Sequence, residues 1–147
     1  MNETRWNHVL DAQDIVAFMD EVFPRANTLA SIESLGAGRI VMALRMDEGS
    51  DRYLRPGGTL SGPTLMSLAD TAMYFLVLSL VGREALAVTA SLNMHFLRRP
   101  PAGPLRAEAS MLKLGRRLAV GDVQLRSEGV AGPVAHATVS YALPASR

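Results

Sequence analysis

A single carboxylate interrupts a long apolar run: Asp70 lies near the middle of Ser61 to Gly82, SGPTLMSLADTAMYFLVLSLVG. A charged group among methionines and leucines is costly to keep unless it is hydrogen-bonded, paired or used. Two readings therefore stand side by side. Asp70 is either a structural acid that caps a neighbouring loop or pairs with an arginine, or a base or nucleophile that acts on a substrate. No cysteine occurs in the 147 residues, which excludes thiol nucleophiles, thiolate metal sites and disulfides, and fits a reducing compartment. The three histidines, His8, His95 and His136, are scattered, and no pair has ligand spacing on one helix face, so they are expected to be structural or surface groups and no metal is expected.

The stretch that carries Asp70 reads as one helix. Ser61 suits the N-cap, Gly62 and Pro63 the first turn, and Gly82 a C-terminal stop. Leu65, Leu68, Ala69, Ala72, Met73, Leu76 and Leu80 recur at spacings of three and four, and Met66, Tyr74, Phe75, Val77 and Leu78 extend the apolar surface nearly all round. Such a helix must be wrapped on most sides. Its composition resembles a transmembrane span, but a central Asp costs about 2.5 to 3.5 kcal/mol on insertion scales, and Gly57, Gly58 and Pro63 break the approach. The expectation is the buried helix of a soluble protein, with no membrane as partner.

Before that helix, Asp11 to Phe23 reads as a short amphipathic helix ended by Pro24, and Thr28 to Ser34 as a weak strand. After Gly36-Ala37-Gly38 a better strand follows, with Ile40, Met42, Leu44 and Met46 on one face, and Asp47 to Thr59 is a loop. After the helix, Leu86 to Leu97 alternates, with Leu86, Val88, Ala90, Leu92, Met94 and Phe96 on one face and Thr89, Ser91, Asn93 and His95 on the other. Arg98 to Pro104 ends that strand. Leu105 to Met111 patterns the next one. In the strand after Gly115, Leu118 and Val120 disagree in parity with Val123 and Leu125, which a bulge at Gly121 would reconcile. Ala135, Ala137, Val139, Tyr141 and Leu143 line the last strand. Connections after the long helix are too short for parallel crossovers. The fold class is therefore α+β, one domain over 1–147: an antiparallel sheet of about six strands around one long central helix, plus a short N-terminal helix. The alanines at 87, 90, 107, 109, 135 and 137 would let the sheet close tightly on the helix.

SGPTLMSLADTAM, followed by VTASLNMHFLRRP and LGRRLAVGDVQL, resembles the hotdog-fold thioesterases of the PaaI-like group, which hydrolyse acyl-CoA thioesters. The likeness runs from about Leu54 to the C-terminus. The family's central helix opens with His-Gly-Gly and continues to a Leu-x-Asp that carries the catalytic carboxylate. By this resemblance Asp70 is the catalytic carboxylate, Gly62 the first glycine, Ser61 stands at the histidine and Pro63 at the second glycine. Thr89 matches a hydroxyl position that helps to hold the attacking water in some members. Arg55 stands where some members carry asparagine.

Thioester hydrolysis needs a donor for the carbonyl oxygen and a base or nucleophile at the carbon. The Gly62 amide, unpaired within the helix and at the positive end of its dipole, can be the donor, because Pro63 has no amide hydrogen. Asp70 can be the base. Eight residues of helix separate them by about 12 Å, too far for one carbonyl to touch both. The mechanism therefore predicts a homodimer whose two sites are each shared between chains. The resemblance implies the same, with the strand Leu86 to Leu97 pairing across the axis and a further dimerisation to a tetramer. Coenzyme A is part of the substrate, and no other cofactor is expected. Its phosphates would meet Arg98 and Arg99 at a strand end, and Lys113, Arg116 and Arg117 around a turn, although solvated turns explain each singly.

The acyl pocket is expected to take a medium aliphatic or aromatic chain, lined by Met66, Met73 and Tyr74, with Tyr74 at its far end. Fifteen basic against fourteen acidic residues argue against nucleic acid as a partner. The N-terminal MNETRWNHVLDAQD has no apolar run to serve as a signal, which makes the cytoplasm the expected location. The competing reading is a non-catalytic acyl-CoA binding or sensor protein of the same fold. A hydratase ranks lower, because no histidine lies on the central helix or its entry loop.

Overall fold

The computed structural model describes residues 5–145. Its centre is helix α3, Gly62–Val81, built as the sequence signals require. The Ser61 side chain accepts the Thr64 N–H, Pro63 occupies the first turn, and Gly82, at φ +103°, ends the helix in a conformation that favours glycine. Leu68, Ala69, Ala72, Met73, Phe75, Leu76, Val77 and Leu78 are all fully buried, so nearly every face is covered. The helix is long and apolar enough to cross a membrane, but 72% of that span lies inside the fold. What covers it is sheet.

Six strands, β1 Ala30–Gly36, β2 Arg39–Leu44, β5 Val88–Phe96, β6 Leu105–Leu114, β7 Leu118–Ser127 and β8 Ala135–Ala142, form one antiparallel sheet in the order β1-β2-β6-β7-β8-β5. Its inner face is floored by Ala107, Ala109, Ala119, Ala135 and Ala137, all fully buried, and these short side chains let the strands curl onto α3. A minimal hairpin, β3 Leu54–Arg55 with β4 Thr59–Leu60, follows a 3₁₀ turn at Ser50–Tyr53 and delivers the chain to Ser61, whose N–H donates to the Tyr53 carbonyl at 2.8 Å. Helix α1, Ala12–Val22, is closed by a capping box between Asp11 and Asp14 and packs against α3 and β1.

Four local expectations are corrected. Pro24 ends α1 but also starts a second helix, α2 Pro24–Leu29, where its fixed φ suits the first turn, so β1 begins only at Ala30. β2 stops at Leu44, and Met46 is 43% exposed beyond it. β7 has no bulge at Gly121. Ala119, Gly121, Val123 and Leu125 all point inward, Leu118 and Val120 point outward, and the irregularity lies in the neighbouring strand, between Met111 and Lys113. The fourth correction bears on the site. β5 is irregular between Thr89 and Ser91, so Ala90 is the extra residue and is exposed, while Thr89 turns to the same face as Leu92 and Met94.

Candidate active site

The bulge at Ala90 sets Thr89 opposite Tyr141 on β8. Both hydroxyls then reach the middle of α3. Thr89 Oγ1 donates to Asp70 Oδ1 at 2.7 Å, and the Tyr141 hydroxyl donates to the same oxygen at 2.7 Å while lying 3.1 Å from the Asp70 carbonyl. The second carboxylate oxygen, Oδ2, has no hydrogen-bond partner among the described residues. Tyr141 is 4% exposed and stacks on Tyr74, with ring centroids 5.7 Å apart and planes 15° apart. Burial, and then the Asp70 charge beside it, push its phenol well above the usual tyrosine range, so Tyr141 is a neutral donor throughout the physiological span. Burial also raises the Tyr74 phenol, whose hydroxyl donates to the Ala85 carbonyl at 3.1 Å.

Asp70 stands at the junction of two clefts. One, about 500 Å³, has a polar wall of Arg25, Arg52, Ser67 and Thr71. The other, about 470 Å³, is lined by Tyr74, Ala87, Val88, Thr89 and Tyr141. Phe23 borders both. Tyr74, expected at the far end of an acyl pocket, lies on the wall of the cleft at Asp70. The two methionines do not. Met73 is fully buried beneath β7, and Met66 is 40% exposed and borders neither cleft.

Gly62 lines a third cleft, about 420 Å³, together with Arg55, Phe96, Arg98 and Arg99. Three arginines therefore line the cleft at the α3 N-terminus. Arg98 also donates from Nη1 to the Pro133 carbonyl at 2.6 Å, which holds it against the loop before β8. Ser61 sits beside this cleft with its hydroxyl engaged by Thr64, 2.8 Å from Oγ1 and 3.3 Å from the amide N, so its observed work is capping. Gly62 and Asp70 lie on one continuous helix about 12 Å apart and open to different clefts. Lys113, Arg116 and Arg117 are not brought to Arg98 and Arg99. They surround the β6–β7 turn, a ten-residue strand away, or about 30 Å.

His8 bridges two elements: the Gly38 N–H donates to Nε2 at 2.9 Å, and Nδ1 lies 3.0 Å from Ser79 Oγ. His136 and Asp122 pair on the outer face of the sheet, and His95 is exposed beside them on β5. Among the described residues no cluster of three or more His, Asp or Glu has the arrangement of a metal site.

Sequence reasoning gave no role to two residues at these clefts: Tyr141, read only as a core position of the last strand, and Arg55, noted only as standing where some members carry asparagine. The signal for Tyr141 was present: on the inward parity of β8, Ala135, Ala137, Val139 and Tyr141, it is the one side chain with a hydroxyl. Arg55 follows from the β3–β4 hairpin, which folds it back toward Gly62.

A model of the thioesterase superfamily matches residues 57–141, which include Gly62, Asp70, Thr89 and Tyr141. Among solved structures, a protein of a Silicibacter species described as a thioesterase is 46% identical, with 94% of each chain covered and a TM-score of 0.84. A phenylacetic acid degradation-related protein of Ralstonia eutropha is 28% identical over 87% of this chain and 97% of that one, with a TM-score of 0.74. A variant of the phenylacetic acid degradation protein PaaI of Thermus thermophilus is 27% identical over 87% and 99%, with a TM-score of 0.66. No curated protein matches the sequence.

Proposed function

This chain belongs to the thioesterase superfamily and is a thioester hydrolase of the PaaI-like hotdog type, and from that premise we propose that it hydrolyses a medium-chain or aromatic acyl-CoA at a site shared by two chains. The observation that carries this reading is Asp70: one carboxylate oxygen is tied by two hydroxyls and the other is free, beside a cleft walled by Tyr74, Val88 and Tyr141. Asp70 takes a proton from a water as its oxygen attacks the thioester carbon. The carbonyl oxygen becomes an oxyanion facing the Gly62 amide at the α3 N-terminus. Collapse of that intermediate breaks the carbon–sulfur bond, releasing the carboxylic acid and the coenzyme A thiol, which takes up the proton. No cofactor enters, since coenzyme A arrives with the substrate. A cytoplasmic location, where acyl-CoA is made and used, goes with this reading.

Because Gly62 and Asp70 of one chain are about 12 Å apart, each site draws them from different protomers. β5 supports this arrangement. It is an edge strand of nine residues, with Val88 58% and Phe96 54% exposed. Antiparallel pairing of two β5 strands about an axis at Leu92 or Asn93 sets Thr89 within one residue of Phe96 of a second protomer. Phe96 packs beside Gly62, and Thr89 is bonded to Asp70, so the pairing brings Asp70 to the partner's helix N-terminus. It also carries the Lys113, Arg116 and Arg117 turn of one chain to the same end of the joined sheet as Arg98 and Arg99 of the other. Both cation groups then serve one nucleotide. A tetramer of two such dimers adds nothing that the site requires.

Thiol release from a panel of short, medium, long and aromatic acyl-CoAs tests the reading, with Asp70→Ala at matched concentration and confirmed oligomeric state. Turnover of the medium or aromatic class by the wild type, and its loss in the variant, is the expected result. Binding of acyl-CoA without turnover of any class overturns it.

A further inference from the structure

We infer that Tyr141 is a positioning residue, whose hydroxyl, with that of Thr89, clamps Oδ1 of Asp70 so that Oδ2 alone is presented to the attacking water. The inference rests on the reading of Asp70 as the base. The torsion that swings a carboxylate about its Cβ–Cγ bond is broad and roughly two-fold, so an unheld Asp would offer either oxygen over a wide arc. Two donors converging on one oxygen at 2.7 Å each remove that freedom.

The two donors are unequal. Thr89 is exposed on the edge strand, and its hydroxyl hydrogen rotates about one bond. Tyr141 is buried, its ring plane is set by the stack on Tyr74, and Tyr74 is itself tied by its hydroxyl to the Ala85 carbonyl. The rigid donor is therefore Tyr141. A buried tyrosine needs a partner for its hydroxyl, and a core carbonyl would have served. Here the hydroxyl is instead spent on the one carboxylate that borders both clefts.

Tyr141→Phe deletes this donor and keeps the ring and its stack. In the assembled protein, measured per folded site at a temperature well below unfolding, kcat for the best acyl-CoA is expected to fall about tenfold while KM changes less than about twofold, the mark of a lost near-attack geometry. A role in packing alone would move the unfolding temperature and leave kcat unchanged. Fluorinated tyrosines placed at 141 vary donor strength at nearly constant shape, and kcat should follow that strength even if Tyr141→Phe does not fold. Asp70→Asn runs in parallel. If it abolishes turnover while kcat is indifferent to the donor at 141, the positioning role is wrong and the base stands. If Asp70→Asn turns over nearly as the wild type does, the base assignment falls, and the positioning role with it.

Discussion

Gly121 on β7 lies directly beneath Met73 of the central helix: a Cβ at this position would sit 2.4 Å from Met73 Sδ and 3.1 Å from the Ser110 carbonyl oxygen. Met73 is fully buried, so its thioether end would have to shift within a packed core, and the Ser110 contact is backbone. Helix and sheet therefore approach here as closely as the chain allows. Gly121→Ala is expected to destabilise the fold by about 1–3 kcal/mol through overpacking. Denaturant unfolding followed by the Trp6 fluorescence and by circular dichroism checks this, and an unchanged midpoint would show that Met73 can repack.

The same glycine shows why parts of this fold were legible in the sequence and others were not. α3, its caps at Ser61 and Gly82, and the inward alanines of β6 and β8 follow from patterns within one segment. The bulges do not. Whether the mismatch around Gly121 is resolved in β7 or across the ladder, between Met111 and Lys113, depends on a partner strand that no single segment specifies. The extra residue at Ala90 likewise inverts the face of Thr89, and the clean alternation of Leu86 to Leu97 conceals it. Asp70 was recognisable because a charge in an apolar helix needs a reason. For Tyr141 the inward parity of β8 was legible but the partner was not, because Asp70 lies 71 residues away on α3 and no pattern within β8 points to it.

His8 makes stability depend on pH. Burial lowers its pKa below the ordinary 6.5, and the ring nitrogen that accepts the Gly38 N–H must be unprotonated to do so. The folded state thus binds fewer protons here than the unfolded chain, and unfolding free energy rises with pH wherever the two differ. The contribution is complete above about pH 6.5 and is lost as pH falls below it toward the lowered folded value. His8→Gln, which titrates nowhere in this range, should flatten that part of the curve. Unfolding midpoints of both proteins between about pH 5 and 8 give the difference, and parallel curves would remove His8 from the linkage.

Arg99 shares the Gly62 cleft with Arg55 and Arg98. It is the clearest place to test phosphate recognition, since Arg98 is partly committed to the Pro133 carbonyl. Arg99→Glu should raise KM for an acyl-CoA roughly tenfold, the worth of one charge-assisted contact, with little effect on kcat. For the same acyl group on a short thiol without the nucleotide, KM should hardly change. Equal effects on both substrates would mean that Arg99 acts on the acyl end or on the fold.

Gly62→Pro separates the amide from the residue that carries it. Gly62 is the first residue of α3, where proline is favoured, and Ser61 before it already has φ −79° and ψ 153°, as a residue preceding proline prefers. A Cβ at Gly62 meets only the Phe96 ring at ordinary contact distance, 3.5 Å. The substitution therefore removes the N–H with little other change, and turnover should fall about 10²- to 10³-fold, the loss of one oxyanion donor. Gly62→Ala, which keeps the N–H, should stay within a few-fold of the wild type. Mixing decides where the two halves of the site come from. When Gly62→Pro and Asp70→Asn proteins are unfolded together and refolded, each hybrid dimer combines an intact Gly62 from one chain with an intact Asp70 from the other. With random pairing about half the dimers are hybrids and each has one working site of two, so activity should return to about one quarter of wild type. If every site were built within one chain, the mixture would remain as inactive as its parts.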